Sequence, residues 1–110
     1  DIFASKSPSL IVVAIGATTE NLMKRACDHL GVVRKKKARP TLQTFIHEFQ
    51  TIELLDDKVL SQLNIIREFR NRSTHHFNID WDESLIVLNQ FCQFVEWYAV
   101  KFSNARDEES

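Results

Sequence analysis

Arg70, Asn71 and His75 are the residues of this chain whose types and spacing could do chemistry. The apolar residues that lead into them, Leu55, Val59, Leu60, Leu63, Ile66 and Phe69, recur at spacings of three and four. That is the period of an amphipathic helix with a buried face. Extending the stripe 59, 63, 66 by four residues lands on Arg70, on a face meant for the core. A guanidinium cannot shed its charge, so facing inward it needs an acceptor, a bound anion or a water-filled cleft. On a continuing helix Asn71 and His75 share a second stripe, with Arg67 a turn before Asn71. An arginine, an amide and an imidazole at one helix end are suited to holding and protonating a phosphate.

The run Arg70-Asn71-Arg72-Ser73-Thr74-His75, with the aromatic Phe77 two residues on, resembles the signature of the HEPN superfamily. These are small α-helical domains of many prokaryotic toxins and antiviral systems, with a motif often written R-N-x-x-x-H. Arg70 and His75 match its two defining positions, Asn71 the common polar one and Phe77 the aromatic. Ser73 and Thr74 stand where a small or aliphatic pair is usual, and His76 adds a second imidazole. The resemblance spans eight residues. It implies a HEPN-like bundle, a metal-independent endoribonuclease with Arg70, Asn71 and His75 as site residues, no cofactor, and a homodimer with two motifs beside one cleft. It also implies an alternative, because many relatives serve as non-catalytic dimerisation or nucleotide-binding modules.

The elements that must position these residues read as helices. The chain has 110 residues with only two glycines and two prolines, which suits long helices in a single domain better than a β-rich fold. The expected fold class is all-α, an up-and-down bundle of four main helices near 9–31, 41–51, 56–76 and 83–104. The β-branched run Leu10–Ile15 would pass for a strand on its own, but the apolar positions 22, 23, 26, 27 and 30 continue a helix toward Gly31, a suitable C-cap. Ser7-Pro8 suits its start. Glu20, Lys24, Arg25 and Asp28 fit its solvated face; Glu20 has the alternative of reaching the cleft, since HEPN-like domains often carry polar residues on this helix. Leu42, Phe45, Ile46 and Phe49 form the apolar face of the second helix, with His47 off it. Asp56 or Asp57 can cap the third helix, and Asp80 or Asp82 the fourth. The fourth is expected to bury Leu85, Leu88, Cys92, Val95 and Ala99. Ile86, Phe91, Phe94, Trp97, Tyr98 and Phe102 extend its apolar surface further than one groove would hide, which suggests a central position or a partner.

Net charge is −1, so no global field advertises nucleic acid and any such site must be local. The local candidate is Arg34, Lys35, Lys36, Lys37 and Arg39, which read either as a solvated connection or as a patch tracking RNA phosphates. No apolar run approaches the ~20 residues of a membrane span, and no signal peptide is visible. Cys27 and Cys92 read as buried reduced thiols of a cytoplasmic domain. The start at Asp1 rather than Met reads as a piece of a larger protein with further domains.

Two other chemistries fit less well. His75, His76, Asp80, Asp82 and Glu83 lie close in sequence, but adjacent histidines on a helix point about 100° apart and no HExxH-like i, i+4 pair of ligands exists, so no metal site is expected. Ser73 and Thr74 beside His75 lack the strand-to-helix elbow that presents a nucleophile. Metal-free RNA cleavage asks for proton transfer at the ribose 2′-OH and at the leaving 5′ oxygen, with charge balanced on phosphorus. Histidine and arginine supply those functions. As a rival, Arg70 and His75 would hold a phosphate, or cap the helix end and pair with Asp80 or Glu68. A bare helical scaffold is the third reading.

Overall fold

The computed structural model describes residues 7–31, 40–76 and 79–109, with side chains to residue 75 in the second stretch and residue 102 in the third. They form four helices, α1 (Pro8–Leu30), α2 (Leu42–Thr51), α3 (Asp57–His76) and α4 (Trp81–Glu109). No strand occurs among the described residues, and the β-branched run at Leu10–Ile15 is helical. The chain is an all-α bundle.

Each start has a local cause. The Ser7 hydroxyl accepts the Ser9 N–H at 3.1 Å, and Pro8 supplies a helical φ without wasting a donor. Thr41 and Thr44 form a capping box at α2. Asp56 accepts the Val59 N–H at 2.8 Å. Asp80 accepts the Glu83 N–H at 2.8 Å while Glu83 accepts the Asp80 N–H at 3.2 Å. That reciprocal pair starts α4 at Trp81, two residues before the sequence pattern does, and the helix runs on to Glu109 rather than ending near 104. Gly31, at φ 69°, closes α1 in a left-handed conformation that glycine adopts without penalty.

Helices α1, α3 and α4 pack on one another, and the short α2 lies mainly against α1. Gln62 bonds Gln93 at 3.0 Å and Arg72 pairs with Glu83. These links move down α3 as they move up α4, so the two helices are antiparallel. The core draws Val12 and Met23 from α1, Phe45 and Phe49 from α2, Leu63 and Ile66 from α3, and Val87 and Phe94 from α4. Burying each such side chain stabilises the fold by about 1.5–3 kcal/mol relative to exposure. The Tyr98 hydroxyl donates to the Leu22 carbonyl at 2.9 Å, fastening α4 to α1, and burial pushes its phenol pKa up.

Helix α4 turns differently from the sequence expectation. Val87 and Phe94 face the core with Phe91 and Tyr98 half-buried beside them, while Leu85, Leu88, Cys92 and Ala99 are exposed. On a helix apolar nearly all round, periodicity alone does not choose the inward face. The aromatic positions win because they remove more apolar area from water. Cys92 is accordingly an exposed free thiol rather than a buried one, while Cys27 is buried as expected and its thiol donates to the Glu48 carboxylate at 3.3 Å.

Candidate functional site

Arg70 falls on the core stripe of α3 and meets the problem its charge poses there. Its stem crosses α1 at Gly16, where an added Cβ would lie 2.3 Å from Cδ and 2.7 Å from Cγ. Only a residue without a side chain leaves room for that crossing. One turn further along α1, Glu20 pairs with Arg70 Nη1. Both side chains are about three-quarters buried, exposed to 26% and 21%. Glu20 therefore leaves the solvated face on which Lys24, Arg25 and Asp28 lie exposed, and takes its alternative place in the cleft. Neither carboxylate named as a partner for Arg70 serves: Glu68 is exposed on α3 and Asp80 caps α4.

Around this pair opens a cleft of about 330 Å³ lined by Glu20, Thr41, Leu42, Gln43, Arg67, Arg70, Asn71, Thr74 and His75. The volume lies at the low end of the range, about 300–1,000 Å³, of small-molecule sites. Helix α3 supplies one wall because it continues unbroken to His76, which sets Arg67, Asn71 and His75 a turn apart. The first turn of α2 supplies the hydroxyl of Thr41 and the amide of Gln43 opposite. Arg67 is half-buried, and among the described residues no carboxylate pairs with it. With His75 neutral, Arg67, Arg70 and Glu20 give the described residues of the lining a formal charge of +1. Such a lining can bind an anion, hold it by guanidinium and amide donors, and offer it an imidazole.

The residues between motif positions do structural work. Arg72 leaves the cleft to pair with Glu83 and to stack on the Phe69 ring at 4.9 Å. The Arg72 guanidinium, helped by the Asp80 N–H, holds the Glu83 carboxyl below its ordinary value of 4.5. Ser73 is fully buried, so a small side chain fits where the helix turns inward. The Thr74 hydroxyl bonds back to the Arg70 carbonyl at 2.9 Å.

The structure thus brings together Arg70, Asn71 and His75, the three motif residues read from the sequence. Phe77, the side chain of His76 and the basic run Arg34, Lys35, Lys36, Lys37 and Arg39 lie outside the described residues. Among the described residues no three His, Cys, Asp or Glu side chains converge as metal ligands, and none of the helices is long and apolar enough to cross a membrane. Sequence reasoning placed Arg67 on the stripe without giving it a role, and missed Gly16, Thr41 and Gln43. Gly16 had a readable signal, since an isolated glycine costs a helix about 1 kcal/mol and persists where packing requires it. Thr41 and Gln43 had none, because they reach the cleft only through the packing of α2. No family model, no curated protein and no solved structure matches the chain.

Proposed function

We propose that this domain is a metal-independent endoribonuclease of the HEPN kind, of a toxin or antiviral defence system, acting in the cytoplasm. The observation that carries the reading is the convergence of Arg70, Asn71 and His75 on one small cleft of positive lining charge. In the reaction the ribose 2′ oxygen attacks phosphorus as its proton leaves, and the P–O5′ bond breaks as the 5′ oxygen gains one. The products are a 2′,3′-cyclic phosphate and a 5′ hydroxyl. His75 moves a proton, Arg70 uses the donors that Glu20 leaves available to balance charge on the phosphorane, and Asn71 orients the phosphate. Among the described lining residues the one carboxylate, Glu20, is committed to Arg70.

One imidazole serves one of the two proton steps, so the active form is a homodimer. The exposed apolar residues Trp81, Leu85, Ile86 and Leu88 support this, because the Arg72–Glu83 pair ties that part of α4 to the motif. Pairing two copies there would set two motifs side by side. The basic run 34–39 would extend the contact along the RNA backbone.

The Arg70–Glu20 pair supports a second reading, since it neutralises the motif arginine. On that reading the domain is a non-catalytic dimerisation or nucleotide-binding module of a larger protein. Incubating the protein with mixed RNA, with and without EDTA, beside His75→Ala and Arg70→Ala, decides between them. The nuclease reading expects cleavage that EDTA spares and both substitutions abolish. Wild-type cleavage no greater than the mutants' would leave the binding module, which expects Arg70-dependent nucleotide affinity.

A further inference from the structure

We propose that Arg67, which the motif does not include, is the residue that binds the RNA phosphodiester in the ground state, and that Glu20 and Arg70 contribute almost no net attraction. The inference rests on the RNA reading above and adds the division of labour within it. Arg70 donates to Glu20 across the α1 backbone at Gly16. From the position of a ligand this pair is a dipole with two opposite charges side by side, and its Coulomb attraction for an anion largely cancels. Arg67 differs. It is half-buried, lines the same cleft, and has no carboxylate partner among the described residues. A partly desolvated guanidinium without a counter-charge is costly in the unliganded protein, and a phosphodiester relieves that cost with bidentate geometry. The ligand class follows from the charge. The +1 of the described lining residues matches the single negative charge of a phosphodiester better than the multiple charges of a nucleoside triphosphate. Asn71, one turn on, is placed to donate to the same group.

The test is a binding measurement that chemistry cannot confuse. A short, fluorescently labelled, 2′-O-methylated single-stranded RNA lacks the nucleophile, and its affinity can be followed by anisotropy across a salt series. Arg67→Gln is expected to weaken binding about tenfold to a hundredfold, the worth of one charge-assisted contact. It should also reduce the salt slope by about 0.7, the value for one phosphate on a single strand. The double substitution Glu20→Gln with Arg70→Gln leaves the lining charge at +1. It should keep affinity within a few-fold while abolishing cleavage of the unmethylated strand. Arg67→Lys, which keeps the charge but not the fork, should retain the salt slope with weaker binding. Unchanged affinity in Arg67→Gln, or equal loss in the double substitution, would overturn the assignment and leave the nuclease reading standing. A wild-type protein that neither binds nor cuts RNA would take down both.

Discussion

Replacing Gly16 by alanine puts one methyl group where the stem of Arg70 crosses α1. Carbon atoms in contact rest about 3.5–4.0 Å apart. The new Cβ would stand 2.3 Å from Cδ and 2.7 Å from Cγ, so the arginine must retreat by more than about 1 Å. That displacement breaks the Nη1 bond to Glu20 and moves the guanidinium within the cleft. Misplacing a group by about 1 Å costs on the order of a hundredfold in rate, and a loss of about that size is expected in RNA cleavage. Stability behaves differently. Alanine gains about 1 kcal/mol of helix propensity over glycine, and a partly exposed ion pair is worth about 1 kcal/mol or less. The two offset, so the melting temperature should move by only a few degrees. Cleavage of a labelled RNA and thermal unfolding by circular dichroism, run on one preparation, separate the effects. Wild-type cleavage by Gly16→Ala would refute the claim that Arg70 must lie across α1, and a collapse of the fold would show that the crossing is structural.

Glu83 gives a pH dependence of definite sign. Arg72 and the Asp80 N–H hold its folded pKa below 4.5, so its contribution is present above that value and is lost as pH falls through the folded pKa. Glu83→Gln should therefore lower the melting temperature at neutral pH, with the gap closing in acid well below 4.5; a gap independent of pH would contradict the assignment. Phe94, fully buried between α4 and the core, should cost about 3–5 kcal/mol when changed to alanine, read as a lower denaturant midpoint. Leu88→Glu lies on the exposed face of α4; sedimentation should show the dimer dissociating with the melting temperature of the fold preserved, whereas a wild-type monomer at tens of micromolar would remove the dimer from the account.

The helices were legible because their cause is local. Capping residues Ser7, Asp56 and Asp80 and the three-and-four spacing of Val59, Leu63 and Ile66 act within a few residues of where they stand in the chain. The inward position of Arg70 was legible for the same reason, since it continues that spacing. Its partner was not. Glu20 is fifty positions away, on a helix whose polar residues look alike in sequence, and only the packing of α1 on α3 singles it out. The inward face of α4 escaped for another reason: with Leu85, Leu88, Phe91, Phe94 and Tyr98 all apolar, the choice depends on which residues the other helices can cover. The contribution of Thr41 and Gln43 to the cleft follows from tertiary packing alone.

The most direct test of the central claim is the chemistry at the cut ends. Mass spectrometry of the products of a defined RNA, cleaved in EDTA, should find a 2′,3′-cyclic phosphate on one fragment and a 5′ hydroxyl on the other. A single 2′-deoxy substitution at the scissile nucleotide should abolish that cut, as should His75→Ala. A 5′ phosphate with a 3′ hydroxyl, or cleavage that survives the deoxy substitution, would mean that the ribose hydroxyl is not the nucleophile and that the cleft formed by Arg67, Arg70, Asn71 and His75 does not work as described.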